Sequence, residues 1–428
     1  MRREAIVKPN FNSSRRPRGL DRRSLLGGLA AAPALAQAAP EAKAPRPYGS
    51  DSIYTRMFGI RPLLCARGHT TAFGGSLMPA EVMRAMIEAN DYFVDLNELN
   101  EAAGRHIAGI MKAEAAMVTA GAFSAMVLGA AACLTGTDPK KIDALPHPDW
   151  PRRECLIQKA HRESYDRAYR CAGMTVREFE TREELAAAIG PNTAMIAALA
   201  STEKAAMKDL RIMRPEEFVA LGRKHGVPVL IDAAAEIPPA ETLTRFTGMG
   251  FDLVAISGGK GLLGPQATGI LAGRKDLIRA AALNHSPHTG VGRGMKVGKE
   301  EIVGLVAAID LYLSQEREVV HEIWNKRVRF LVSELQGIPG LRAEAREAAN
   351  GHDHGFLEAL LSWDPAVIPL TAKALTTKLR NGEPRIVFYP EYGGETSVVL
   401  QTRSMKDGDE ILTARRLRAV FRPAGRNG

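Results

Sequence analysis

Lys260 and Asp232 are the two residues around which a reaction could be organised. Lys260 stands in ISGGKGLLGPQATGIL, flanked by glycines and three residues after Ser257, the end of an apolar run. A lysine held in a glycine-rich bend at a strand end can be desolvated and aimed inward, which makes its amine a nucleophile towards an aldehyde. The competing reading is a solvated turn lysine, and the glycines on both sides weigh against it. Asp232 closes VPVLID, an apolar run of strand composition. The carboxyl end of such a strand is where parallel α/β proteins bind ligands. It either caps the next element or faces a ligand, and the small residues after it leave room for something flat.

An amine for an aldehyde carbon and a carboxylate for a ring nitrogen form the pair that pyridoxal 5'-phosphate needs. The carboxylate keeps the pyridine protonated, so that the ring can act as an electron sink. The phosphate needs a cradle as well. Thr119 to Ser124 (TAGAFS) join a strand to the helical run FSAMVLGAAACL, and free amides at a helix N-terminus suit a phosphate. Gly121, Ala122 and Ser124 are the candidates there, and Ser257 adds a hydroxyl. A glycine at a strand–helix turn is common, so this element counts mainly through its order along the chain.

These residues must be positioned by a sheet. Apolar runs without alternation at 115–119, 155–159, 193–199, 227–232, 252–257 and 269–273 are separated by helical segments such as TREELAAAI and RPEEFVALGRKHG. That pattern predicts an α/β fold with a mostly parallel sheet covered on both faces. From Glu300 a long helical stretch leads into short strands (GFLEALLS, RIVFY, SVVLQT) and a closing helix near 408–421, a smaller α+β unit. The expected organisation is a leader (1–38), a Pro/Ala-rich linker (39–50), a large cofactor-binding domain with an N-terminal arm (51–298) and a small C-terminal domain (299–428).

The order of phosphate turn, strand-end Asp and Ser-Gly-Gly-Lys resembles the fold-type I pyridoxal-phosphate enzymes. SGGKGLLGPQATGILAGRKDLI, VPVLIDAAAEIPP, GRGMKVGKEEIVGL and RGHTTAFGGSLMP are similar to the group related to bacterial selenocysteine synthase, which includes D-glucosaminate-6-phosphate ammonia-lyase. The resemblance implies an aspartate aminotransferase-like fold, with Lys260 as the Schiff-base lysine and proton shuttle and Asp232 on the pyridinium nitrogen. It implies His161 as a ring-stacking residue, where a plain surface or core histidine is the alternative. Arg293 and Lys296 become candidates for phosphate or an anionic substrate, against a merely solvated basic loop. It also implies at least a homodimer. Phe123 is bulky for the phosphate turn of this group, and Cys65 stands where an Asn is expected.

Composition bounds the rest. The 428 residues are 45% hydrophobic and 25% charged, which excludes collagen-like, disordered and coiled-coil classes. Residues 1–38 carry +6 of the formal +9, leaving a body of +3, so a nucleic-acid partner is not expected. That leader has a basic region with paired Arg22-Arg23, a mild apolar run and the small-residue stop Ala36-Gln37-Ala38. It resembles a twin-arginine signal and predicts an exported, periplasmic protein cleaved near Ala38, with no membrane attachment afterwards. Four scattered cysteines predict neither a disulfide framework nor a metal site.

The expected activity is a pyridoxal-phosphate-dependent lyase performing α,β-elimination with deamination of an amino acid or amino-sugar acid. An aminotransferase or a selenocysteine synthase-like transferase is the alternative. A non-catalytic exported binding module is the alternative of another class.

Overall fold

The computed structural model describes residues 48, 51–348, 356–389 and 394–421. The expected signal (1–38), and the linker (39–50) apart from Tyr48, lie outside the described residues.

The N-terminal arm contributes a short strand, β1 (Leu63–Cys65). The main sheet contains β2 (Ala115–Thr119), β3 (Glu154–Gln158), β4 (Thr175–Phe179), β5 (Thr193–Leu199), β6 (Val229–Asp232), β7 (Leu253–Ser257) and β8 (Gly269–Gly273). Their spatial order is β2-β8-β7-β6-β5-β3-β4. The sheet is parallel except for β8, which runs antiparallel to both β2 and β7. The reason is connection length. A parallel crossover needs a dozen or more residues, usually with a helix, and residues 258–268 can only turn the chain back.

The apolar runs lack alternation because both faces of the sheet are covered. Val229 and Ile231 enter one core with Ile107, Phe218 and Phe246, whereas Leu230 enters another with Leu128 and Leu271. The helix Gly121–Thr135 is apolar all round and accordingly buried along nearly its whole length. β4 has no counterpart among the expected strands. It is a charged edge strand with only Phe179 buried, and charge on an edge discourages pairing with another chain.

Beyond Gly298 the expected long helix divides at Gln315 and Glu316 into Lys299–Ser314 and Arg317–Leu335. A small antiparallel sheet follows, made of β9 (Leu341–Glu347), β10 (Leu357–Trp363) and β12 (Ser397–Leu400). The remaining strand, β11 (Arg385–Val387), pairs in parallel with β1. The arm expected with the large domain therefore donates its strand to the C-terminal sheet region. Leu64 and Ala66 are buried there with Leu331, Ile386 and Phe388. Among the described residues no helix is long and apolar enough to cross a membrane.

Candidate active site

Asp232 is the last residue of β6, paired with Leu199 of β5 and Ala255 of β7. The whole strand is buried, so the carboxylate has left bulk water. Burial pushes its pKa up, while the Ala234 amide and the Lys260 charge pull it down. That amide donates to Oδ1 at 2.9 Å.

Lys260 follows β7 and is half-buried. The glycines around it serve close packing. A Cβ at Gly259 would lie 2.4 Å from Gln266 Cα, and one at Gly261 would lie 1.9 Å from the Ile237 carbonyl oxygen. Ile237 belongs to the segment that follows Asp232, so backbone contact brings the two candidate residues together. Among the described residues Lys260 forms no ion pair within 4.0 Å, leaving its amine available.

The phosphate turn is tied to the same place by one residue. Gly269, which opens β8, pairs with Thr119 on one side and with Ser257 on the other. A Cβ at Gly269 would lie 2.4 Å from the Gly121 carbonyl carbon. Gly121 sits at φ +84°, and no side chain caps the helix that it opens. Its first-turn amides are therefore open to an anion. Ser124 Oγ donates to the Ala120 carbonyl at 2.7 Å and Thr119 Oγ1 to the Gly121 carbonyl at 3.0 Å. Ala122 and Ser124 are buried in this turn, and Ser257 is half-buried across the strand. Phe123 packs against the core that holds Leu128, Leu230 and Leu271, which accommodates its bulk.

His161 lies just beyond β3 and is 1% exposed. The Leu199 amide donates to Nδ1 at 3.0 Å, so the neutral ring carries its proton on Nε2, which meets the Met213 carbonyl at 3.3 Å. Burial lowers its pKa to about 4, and the ring is neutral at ordinary pH. Its centroid is 4.8 Å from that of Phe218. Arg293 and Lys296 are exposed on the loop between the helices Lys275–Asn284 and Lys299–Ser314. No hydrogen bond or ion pair among the described residues ties either side chain to the Lys260–Asp232 cluster.

The structure adds residues that sequence reasoning did not single out. Glu163 feels the charges of both Asp232 and Lys260, and its Oε1 is buried without a hydrogen-bond partner. The signal for it was an acid two residues after His161, in HRESYD. His69 Nε2 and Ser76 Oγ are likewise buried without partners. Their segment lies over the lysine loop, where Gln266 Nε2 donates to the Thr71 carbonyl at 2.9 Å. Burial, together with the Arg403 charge, lowers the pKa of His69 to about 3. An open groove of about 920 Å³ runs along β2, lined by Asn100, Arg105, Arg279 and His285 among others, and contains neither Lys260 nor Asp232. No cluster among the described residues could hold a metal ion, and all four cysteines are free thiols.

A free amine, a desolvated carboxylate and an uncapped helix end, brought together by glycines that tolerate no Cβ, fit pyridoxal phosphate as a donor set. Comparison with known proteins agrees. The family model of L-seryl-tRNA selenium transferase (SelA) matches residues 169–337. A 5'-C-glycyluridine monooxygenase-decarboxylase from Streptomyces sp is 33% identical over 353 residues, covering 80% of this chain and 86% of that protein. The D-glucosaminate-6-phosphate ammonia lyase of Salmonella typhimurium is 27% identical over 380 residues, covering 86% and 98%. A solved structure of D-glucosaminate-6-phosphate ammonia-lyase superposes with a TM-score of 0.75 at 25% identity, over 87% of this chain and 99% of that one. The strand-end lysine and aspartate thus sit in a shared architecture, and the chain belongs to the selenocysteine synthase-related family of fold-type I pyridoxal-phosphate-dependent enzymes.

Proposed function

We propose that this site eliminates a β-substituent and then ammonia from an amino acid or amino-sugar acid. The convergence of Lys260 and Asp232 beside the open helix end carries the proposal, and the Salmonella relative supports the substrate class. When bound, pyridoxal phosphate supplies an aldehyde for the substrate amine and a ring that accepts the electron pair released at the α-carbon. Lys260 Nζ is the group to hold that aldehyde. With a substrate bound, the Lys260 amine would be placed to take the α-proton and to give it back later. Asp232 keeps the ring nitrogen protonated, its orientation set by the Ala234 amide. The amides of Gly121 and Ala122, with the Ser124 and Ser257 hydroxyls, hold the phosphate. His161, neutral and fixed in one tautomer, would flank the ring without adding charge.

The test is absorbance of the purified protein with added pyridoxal phosphate, before and after borohydride reduction, followed by screening for ammonia and 2-keto acid release. A reducible visible band with both products supports the reading, whereas no uptake of the cofactor sinks it. A second reading follows the Streptomyces relative: oxygen-dependent decarboxylation of an amino acid, which would show oxygen uptake and CO2 release in place of ammonia. Transamination would instead move the amine to an added 2-keto acid. A tRNA-linked substrate is disfavoured by the near-neutral body.

Two further expectations belong here. Residues 1–38 direct twin-arginine export, supported by Arg22-Arg23 and the Ala36-Gln37-Ala38 stop. Cell fractionation of the Arg22→Lys/Arg23→Lys double variant tests this, and unchanged periplasmic yield contradicts it. The protein is at least a homodimer, supported by the exposed apolar side chains Tyr54, Phe58, Tyr92 and Phe93. A monomer mass by light scattering contradicts it.

A further inference from the structure

Glu163 has no part in the chemistry described so far, yet its surroundings set it apart from the surface acids. Its backbone amide donates to Asp166 Oδ2 at 3.2 Å. Asp166 is itself engaged by Arg162, which also pairs with Glu178, so this cation is committed elsewhere. The Tyr165 amide supports the Glu163 carboxylate locally, and Oε1 remains buried with no partner. The groups that face Glu163 are Asp232 from the end of β6, Lys260 from the loop after β7, and Asp166 and the buried Tyr169 from the short segment beyond β3. Burial, followed by the charges of Asp232 and Asp166, raises its pKa to about 7, against the pull of the Tyr165 amide and Lys260. Two carboxyls thus lie near one cation in different surroundings: Asp232 accepts from the Ala234 amide, whereas Glu163 Oε1 is buried without a partner.

We propose that Glu163 is a positioning residue for the cofactor ring. Neutral, it leaves Asp232 as the single negative charge beside the ring nitrogen; ionised, it adds a second and tightens the hold on the protonated ring. No bond forms or breaks in this step, and the proton exchanges with solvent. The inference rests on the assignment of Asp232 to the ring nitrogen.

The experiment titrates cofactor-free protein with pyridoxal 5'-phosphate by absorbance between pH 5.5 and 8.5 (roughly the window around a group titrating near neutrality). Wild type, Glu163→Gln and Glu163→Asp are compared. The ratio of wild-type to Glu163→Gln affinity is expected to rise about 3- to 10-fold across neutral pH, while Glu163→Asp retains a pH-dependent gain with a shifted midpoint. A ratio independent of pH overturns the proposal. If Glu163→Gln does not fold, an unshifted midpoint in Glu163→Asp overturns it equally. Asp232→Asn separates the two claims. If that substitution leaves cofactor affinity and absorbance unchanged at every pH, the ring-nitrogen assignment itself is wrong.

Discussion

Two loops of this molecule look alike in sequence and differ in how they enclose their basic residues. Residues 258–268 and 290–298 are both rich in glycine, and each carries lysine or arginine between glycines. In the first, the glycines on either side of Lys260 would each drive a Cβ into backbone. In the second, Arg293 and Lys296 are exposed; a Cβ at Gly292 would meet the Asn284 carbonyl oxygen at 2.7 Å, but one at Gly294, on the other side of Arg293, would meet nothing within 4 Å. A basic residue between glycines is therefore enclosed only where a second backbone has taken the space on both of its flanks, as at Lys260 and not at Arg293. Composition cannot supply that second backbone; topology does.

The comparison can be broken most severely at Lys260. Lys260→Ala should lower kcat by at least about 10²–10⁴-fold, the usual worth of a positioned acid–base group, and should abolish the borohydride-reducible absorbance. Activity within tenfold of wild type would place the chemistry elsewhere.

Titration offers a second test, because the segment beyond β3 carries two groups shifted in opposite directions. His161 is held from its ordinary 6.5 down to about 4, so protonation of the unfolded chain costs stability as pH falls through that window. Fully expressed, this shift is worth about 3 kcal/mol. Glu163 is raised from its ordinary 4.5 to about 7. Its contribution is intact at low pH and is lost as pH rises through that window. The two slopes oppose each other. Thermal unfolding of cofactor-free Glu163→Gln should tilt upwards with rising pH relative to wild type, and that of His161→Leu downwards. Parallel curves would show that neither group titrates as placed.

Gly269→Ala should come next in size. Its Cβ would approach the Gly121 backbone, and overpacking of this kind costs about 1–3 kcal/mol. Chemical denaturation should show that loss together with weaker cofactor affinity. A well-folded variant with wild-type affinity would mean that the phosphate turn yields freely. The smallest effect is expected from Arg293→Ala/Lys296→Ala, with stability changed by less than about 0.5 kcal/mol, as for other exposed positions. A raised KM with unchanged cofactor absorbance would sharpen their candidacy as substrate-facing cations, and unchanged kinetics would end it.

Much of the large domain was legible because both faces of its sheet are buried, so that each central strand stands out as an uninterrupted apolar run. Lys260, Asp232 and Gly121 stood out as candidates for a related reason: chemistry and close packing both restrict residue type at strand ends. β4 and β9 were not legible. Their exposed edges are filled with Arg and Glu, which erases the apolar signal. Glu163 escaped notice because HRESYD offers only an acid near His161, and its proximity to Asp232 and Lys260 arises from tertiary structure. The pairing of β1 with β11, more than 300 residues apart, was hidden for the same reason.

The reversed strand β8 has a last consequence. With Gly269 opposite Thr119 on one flank and Ser257 on the other, the turn after β2 and the lysine loop after β7 leave strands that stand two strand spacings apart, roughly 10 Å. The sheet works here as a fixed gauge. Lengthening or shortening the return loop would change how Lys260 is presented and leave the span between the phosphate turn and Ser257 untouched. Engineering for a different substrate can therefore vary the covering segment around His69 and Ser76 without resetting that span, whereas a one-residue slip of β8 would misfit every part of the site together.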